Sequence, residues 1–142
     1  MRWSEHPLEA DIWFDRIEMI RNQALPSTEN ALRHALHLLQ LTPLEFRPSE
    51  CAAIDEDAYE TLLASGEFEQ AARCLVSAPT LSVTACSARD QARVGVQCST
   101  LNQTLFGEGP TVADAILQVW SDYLLMLRTD GCGSWLKVAE QG

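Results

Sequence analysis

His34 and His37 stand three residues apart, a spacing that puts two imidazoles on one face of a helix. A metal site needs at least one more ligand, and His6 or Glu29 supplies it only if the chain folds back. Asp55, Glu56, Asp57 and Glu60 bring four carboxylates together. They lack the glycine and regularly spaced oxygens of a calcium loop, so they read as the solvated start of a helix. Gly107-Glu108-Gly109 precedes a helix, as phosphate loops do, but Pro110 removes a donor N–H and no lysine follows. Five cysteines are present, Cys51, Cys74, Cys86, Cys98 and Cys132, with no CxxC pair among them. All three histidines precede residue 38, so no signature ties a thiol to a base. A G-x-S-x-G elbow is also missing. The chain is expected to have no catalytic residue, no cofactor and no metal.

The elements that would position these groups fall into two sections of the 142-residue chain, 1–78 and 79–142, expected to pack as one unit. In the first, Leu8, Ile12, Ile17, Ile20 and Ala24 recur at helical steps beside Trp13 and Phe14, predicting a helix from Leu8 to about Ala24 that Pro26 ends. Ser27 or Thr28 caps a second helix, whose stripe is Ala31, Leu32, Ala35, Leu36 and Leu39. Pro43–Pro48 reads as a linker anchored by Phe46. Asp55-Glu56-Asp57 opens a third helix, Gly66 ends it in the left-handed conformation, and a fourth runs from Glu67 to Leu75.

After Ala78-Pro79 the period changes to two. Leu81, Val83 and Ala85 alternate with Ser82, Thr84 and Cys86, and Val94, Val96 and Cys98 alternate with Arg93, Gly95 and Gln97. Arg89-Asp90-Gln91 supplies the turn, and a third strand runs from Leu101 to Phe106, ending at Gly107. Thr111 and Asp114 form a capping box for a long helix reaching about Arg128. Trp135-Leu136-Lys137-Val138 is a candidate last strand or docked tail, and Cys132 sits in a Gly-flanked turn. The predicted fold is α+β, with N-terminal helices packed on a small three-stranded antiparallel sheet backed by a long C-terminal helix.

That long helix has two apolar stripes. Val112, Ala115, Ile116, Val119 and Tyr123 make one; Leu117, Trp120, Leu124 and Leu127 make the other. One sheet covers only one stripe, so the second must bury against the N-terminal helices or against another chain. Intramolecular packing is the simpler expectation. The alternative is a homodimer through Leu117, Trp120 and Leu124.

Charge narrows the partners. The formal net charge is −10, and residues 1–79 hold fourteen acidic side chains against six arginines. Such a surface repels phosphate backbones, so no direct nucleic-acid binding is expected. It suits a basic protein partner or a basic ribonucleoprotein complex. No apolar run approaches the ~20 residues that span a bilayer, and the N-terminus shows no leader, so the expectation is a cytoplasmic protein off the membrane.

The order helix (67–75), three strands (80–106), helix (111–128), with its Gly-x-Gly and capped helix start, resembles the α-β-β-β-α double-stranded RNA-binding domain. Residues 67–128 are also similar to small phage ABA-sandwich domains. The RNA-binding resemblance implies a lysine cluster at the helix start, but Thr111, Val112, Ala113, Asp114 and Ala115 stand there, with no basic residue among them. Tyr59-x-x-Leu62-Leu63-x-x-Gly66-x-Phe68-x-x-Ala71 looks like one tetratricopeptide hairpin, present once.

Together these features point to a non-catalytic, acidic protein-binding inhibitor or accessory protein. It resembles in kind the anti-CRISPR proteins that phages and mobile elements carry against basic nucleic-acid-handling complexes. Asp55, Glu56, Asp57, Glu60, Glu67 and Glu69 are the candidate partner-binding residues. A second expectation is a dimeric chaperone, similar in size and charge to type III secretion chaperones; a third is a small enzyme.

Overall fold

The computed structural model describes residues 4–22, 27–46, 54–76, 81–88, 91–98 and 103–130. It shows the α+β architecture expected from the sequence: five helices and one three-stranded antiparallel sheet. The proposed tail strand at 135–138 and Cys132 lie outside the described residues.

Helix α1 (Ala10–Arg21) is shorter than the 8–24 span that periodicity suggested, closing at Asn22. It buries Trp13, Phe14, Ile17 and Ile20, a stripe at helical spacing. Helix α2 (Thr28–Gln40) is capped by Ser27, whose side chain accepts from the Asn30 N–H at 3.2 Å. Its buried residues are Ala31, Leu32, Ala35 and Leu38; the expected Leu36 and Leu39 are only half-buried. Leu38 turns inward because Trp13 on α1 meets it there, the indole N–H donating to the Leu38 carbonyl at 2.8 Å. A single 3-10 turn, Leu44–Phe46, then lays Phe46 parallel to Trp13 at 6.0 Å, the anchor that the linker was expected to provide.

Helices α3 (Glu56–Ala64) and α4 (Phe68–Leu75) form a hairpin about Gly66, whose φ of 76° is the left-handed value that glycine takes without strain. The Tyr59 hydroxyl donates to the Leu32 carbonyl at 2.6 Å and ties α3 to α2.

Strands β1 (Leu81–Ala88), β2 (Gln91–Cys98) and β3 (Gln103–Gly109) pair in the order β1-β2-β3. The register opposes Ala88 to Gln91, so Gln91 belongs to β2 rather than to the turn. Ala92, Val94 and Val96 are buried on the helix side, as alternation requires. Strand β3 runs three residues past Phe106, the expected last residue, and absorbs Gly107 and Gly109. The glycines serve close approach. A Cβ on Gly107 would lie 2.3 Å from the Ala115 carbonyl oxygen, and one on Gly109 would lie 2.8 Å from the Asp114 Cβ.

The helix that presses on them, α5 (Val112–Asp130), is the centre of the molecule. It packs on β3 and β2 with one side and on α1 and α4 with the other. Ala115, Ile116 and Val119 of one stripe and Leu117, Trp120 and Leu124 of the other are thereby buried inside one chain. No helix among the described residues is long and apolar enough to cross a membrane. Trp120 is 3% exposed at this double interface. Trp120→Ala is expected to cost ~3–5 kcal/mol through lost burial and the cavity left behind. Urea unfolding of the two proteins measures it, and coincident midpoints would place Trp120 outside the core.

Candidate functional site

The acidic residues singled out in the sequence lie along the α3–α4 hairpin, and all six are exposed. Asp55 caps α3, its Oδ1 accepting from the N–H groups of Asp57 (3.0 Å) and Ala58 (3.2 Å). Glu56 accepts from the Gln40 amide on α2. Glu60 accepts from Arg33 Nε at 3.0 Å, and Arg33 also pairs with Glu29 one turn earlier on α2. Hydrogen bonds to Glu60 and then to Glu29 raise the Arg33 pKa above its ordinary value, so this clamp stays charged. Glu69 pairs with Arg73 at 3.3 Å, one turn along α4. The side chains of Asp57 and Glu67 make no hydrogen bond or ion pair among the described residues.

These carboxylates do not converge. The nine residues of α3 span ~14 Å at ~1.5 Å per residue, which separates Asp55–Asp57 at one end of the hairpin from Glu67 and Glu69 at the other. The result is an acidic strip with free charge at both ends and neutralised charge in the middle. Exposed pairs such as Glu60–Arg33 are screened by solvent and contribute little, so they can exchange partners readily. Among the described residues no group of three His, Cys, Asp or Glu side chains is placed to hold a metal ion.

The other chemical candidates settle into structural roles. His34 is half-buried, and burial first, then Arg16 and His37, push its pKa below the usual imidazole value. Burial pushes the Cys74 thiol up, toward its protonated and less nucleophilic form. At Gly107-Glu108-Gly109 the α5 backbone occupies the space in front of Gly107, leaving no cradle for a phosphate there. The capping box is present: Thr111 Oγ1 accepts from the Asp114 N–H at 3.2 Å and donates to Asp114 Oδ2 at 2.9 Å. Asp114 does more than the sequence suggested, since its Oδ1 accepts from Thr28 at the start of α2 at 2.7 Å.

Leu117, Trp120 and Leu124, the residues of the homodimer alternative, are 4%, 3% and 8% exposed within the single chain. Helices α1 and α4 already cover this side of α5, so these three residues offer no stripe to a second copy.

Sequence reasoning missed one surface feature. Phe106 is 56% exposed on the outer face of the sheet, its ring lying over Gly95 and under the Arg93 guanidinium, 4.7 Å from the ring centre. Arg93 also stands 3.9 Å from Glu108. The signal was cross-strand: Gly95 opposes Phe106 only in the register that the sheet adopts. An aromatic ring covering a strand glycine stabilises the sheet surface, and the chemistry goes no further.

No family model matches the chain, and no match was found among curated proteins or solved structures.

Proposed function

We propose that this is a non-catalytic protein-binding protein whose acidic hairpin docks on a basic surface of a nucleic-acid-handling complex, as an inhibitor or accessory of the anti-CRISPR kind. The observation that carries the reading is the charge of residues 54–76, where six carboxylates face one arginine, half of the chain's net −10. All six are exposed along the α3–α4 hairpin, whose helices are held on a buried core. An arginine- or lysine-lined groove would meet this strip as it meets a phosphate backbone, and the attraction would speed association more than it slows release.

The free ends of the strip give the sharpest test. Asp57→Lys combined with Glu67→Lys reverses the two unpaired carboxylates and touches neither the Asp55 cap nor the Arg33 clamp. With a guide-loaded CRISPR effector as probe, the wild-type chain is expected to suppress target-DNA binding. The double variant should lose that suppression at least tenfold while keeping the wild-type circular dichroism. Inhibition by the wild type should also weaken as salt is raised. Equal inhibition by both proteins would move the contact away from the hairpin; none by the wild type would reject this class of target. The secretion-chaperone reading needs an exposed apolar groove. The large apolar residues exposed among the described ones, Ile12, Met19, Leu44 and Phe106, are spread over three elements, so no observation favours that reading.

A further inference from the structure

The contact between α1 and α2 gathers positive charge in an acidic chain. The two helices run antiparallel: the Ser4 and Leu8 N–H groups, ahead of α1, donate to the Gln40 and Leu41 carbonyls at the end of α2. Trp13 stands level with Leu38, to whose carbonyl its indole donates. One turn further along α1 is Arg16, and one turn back along α2 is His34. Residues three and four apart share a helix face, so Arg16 lies on the Trp13 side of α1 and His34 on the Leu38 side of α2, at the same level. His37, three residues on from His34, shares that side. Arg16 and His37 are exposed, and His34 is half-buried. No acid balances them. At ~100° per residue, Asp11, Asp15 and Glu18 fall on the far side of α1 from Trp13. Glu29 of α2 and Glu60 of α3 are held by Arg33, and Glu56 of α3 by Gln40. On α4, Glu69 pairs with Arg73; on α5, Asp114 takes Thr28 and Asp122 takes Arg21. Among the described residues no carboxylate pairs with Arg16, His34 or His37, in a chain with twenty acidic side chains against ten lysines and arginines.

We propose that the α1–α2 contact is a proton-sensitive joint: protonation of His34 sets an imidazolium beside the Arg16 guanidinium with no carboxylate to offset the pair, and weakens the hold of α2 on α1. Burial disfavours the charged imidazole first, and Arg16 and then His37 add to that effect. The folded chain therefore keeps His34 neutral down to a lower pH than the unfolded chain does. Unfolded, the imidazole takes up its proton near the ordinary ~6.5. Stability is thus unaffected well above that pH and falls as pH drops through it. It levels off once the folded imidazole is protonated as well. The joint lies apart from the α3–α4 hairpin and does not depend on the function proposed for it.

Two measurements on the full chain test the joint. In the first, the imidazole resonances are followed by nuclear magnetic resonance between about pH 8 and about pH 5, and assigned through His34→Gln and His37→Gln. The His34 signal should titrate below the ordinary imidazole value. Arg16→Gln should move that titration upward yet leave it below the ordinary value, because burial remains. Arg16→Glu should move it further in the same direction. In the second, urea midpoints are compared at about pH 7.5 and about pH 5.5, where only histidines change charge appreciably. The wild-type midpoint should fall on acidification. His34→Gln should remove most of that fall, and the two Arg16 variants, at an exposed position, should shrink it in the same order as they move the titration. If His34→Gln does not fold, the Arg16 variants carry the test. A His34 titration that ignores both Arg16 variants overturns the proposal. So does a midpoint that falls equally in the wild type and in His34→Gln, or one that does not fall in the wild type at all.

Discussion

Trp13→Ala is expected to lower the unfolding free energy by ~3–5 kcal/mol, the range for deleting a large buried aromatic and leaving a cavity. That is a large share of the ~5–15 kcal/mol by which domains are normally stable. Trp13 is fully buried and joins three elements. Its ring is edge-on to Phe14 at 5.1 Å and parallel to Phe46, and its N–H reaches across to α2. The hydrogen bond is the smaller part. The Leu38 carbonyl also accepts from the Leu41 N–H at 3.1 Å, so losing the indole does not orphan it. Trp13→Phe separates the two contributions, and it should cost no more than half of what alanine costs. Urea unfolding followed by far-ultraviolet circular dichroism reads all three proteins. An alanine variant with the wild-type midpoint would mean that α1 does not dock through this face.

Gly107→Ala is expected to be the most damaging addition of a single methyl group. The new Cβ would press on the Ala115 carbonyl and on the Val119 N–H, 2.9 Å away. Both are helix backbone, which cannot swing aside as a side-chain tip can. Relief requires α5 to lift from β3, and α5 also carries the contacts to α1 and α4. The cost should reach or pass the top of the ~1–3 kcal/mol usual for overpacking. Gly66→Ala is the matched control. Nothing lies within 4 Å of its added methyl, so only the left-handed backbone resists, at ~1–2 kcal/mol. If thermal unfolding ranks Gly66→Ala as the worse of the two, the close contact between α5 and β3 is wrong.

What could be read from the sequence was what is local. Ser27, Asp55, Gly66 and the Thr111–Asp114 pair each act within three or four residues of their own position, and each takes its expected place. Features set by tertiary contact were out of reach. Leu38 replaces Leu36 and Leu39 in the core because a tryptophan 25 residues earlier meets it. Gly107 and Gly109 read as a loop between the strand and the helix because glycine signals conformational freedom and close approach with the same letter. The six carboxylates were legible in the sequence, but their spread along the hairpin and their charge balance were not. Arg33 and Gln40, which occupy Glu60 and Glu56, come from another helix 27 and 16 residues away.

The packing of α1 on α5 also sets an order of events during synthesis. Arg21 pairs with Asp122, 101 residues later, and Thr28 with Asp114, 86 residues later. At ~5–20 residues per second a ribosome needs ~5–20 s to pass from the first helix to the last. For that interval the face of α1 that α5 will cover has no final partner, and the nascent chain carries it uncovered. Such long-range closure also slows folding after release, since the loop must close before its contacts stabilise it. The interval between making α1 and making α5 is therefore when this chain is most open to chaperones and to aggregation.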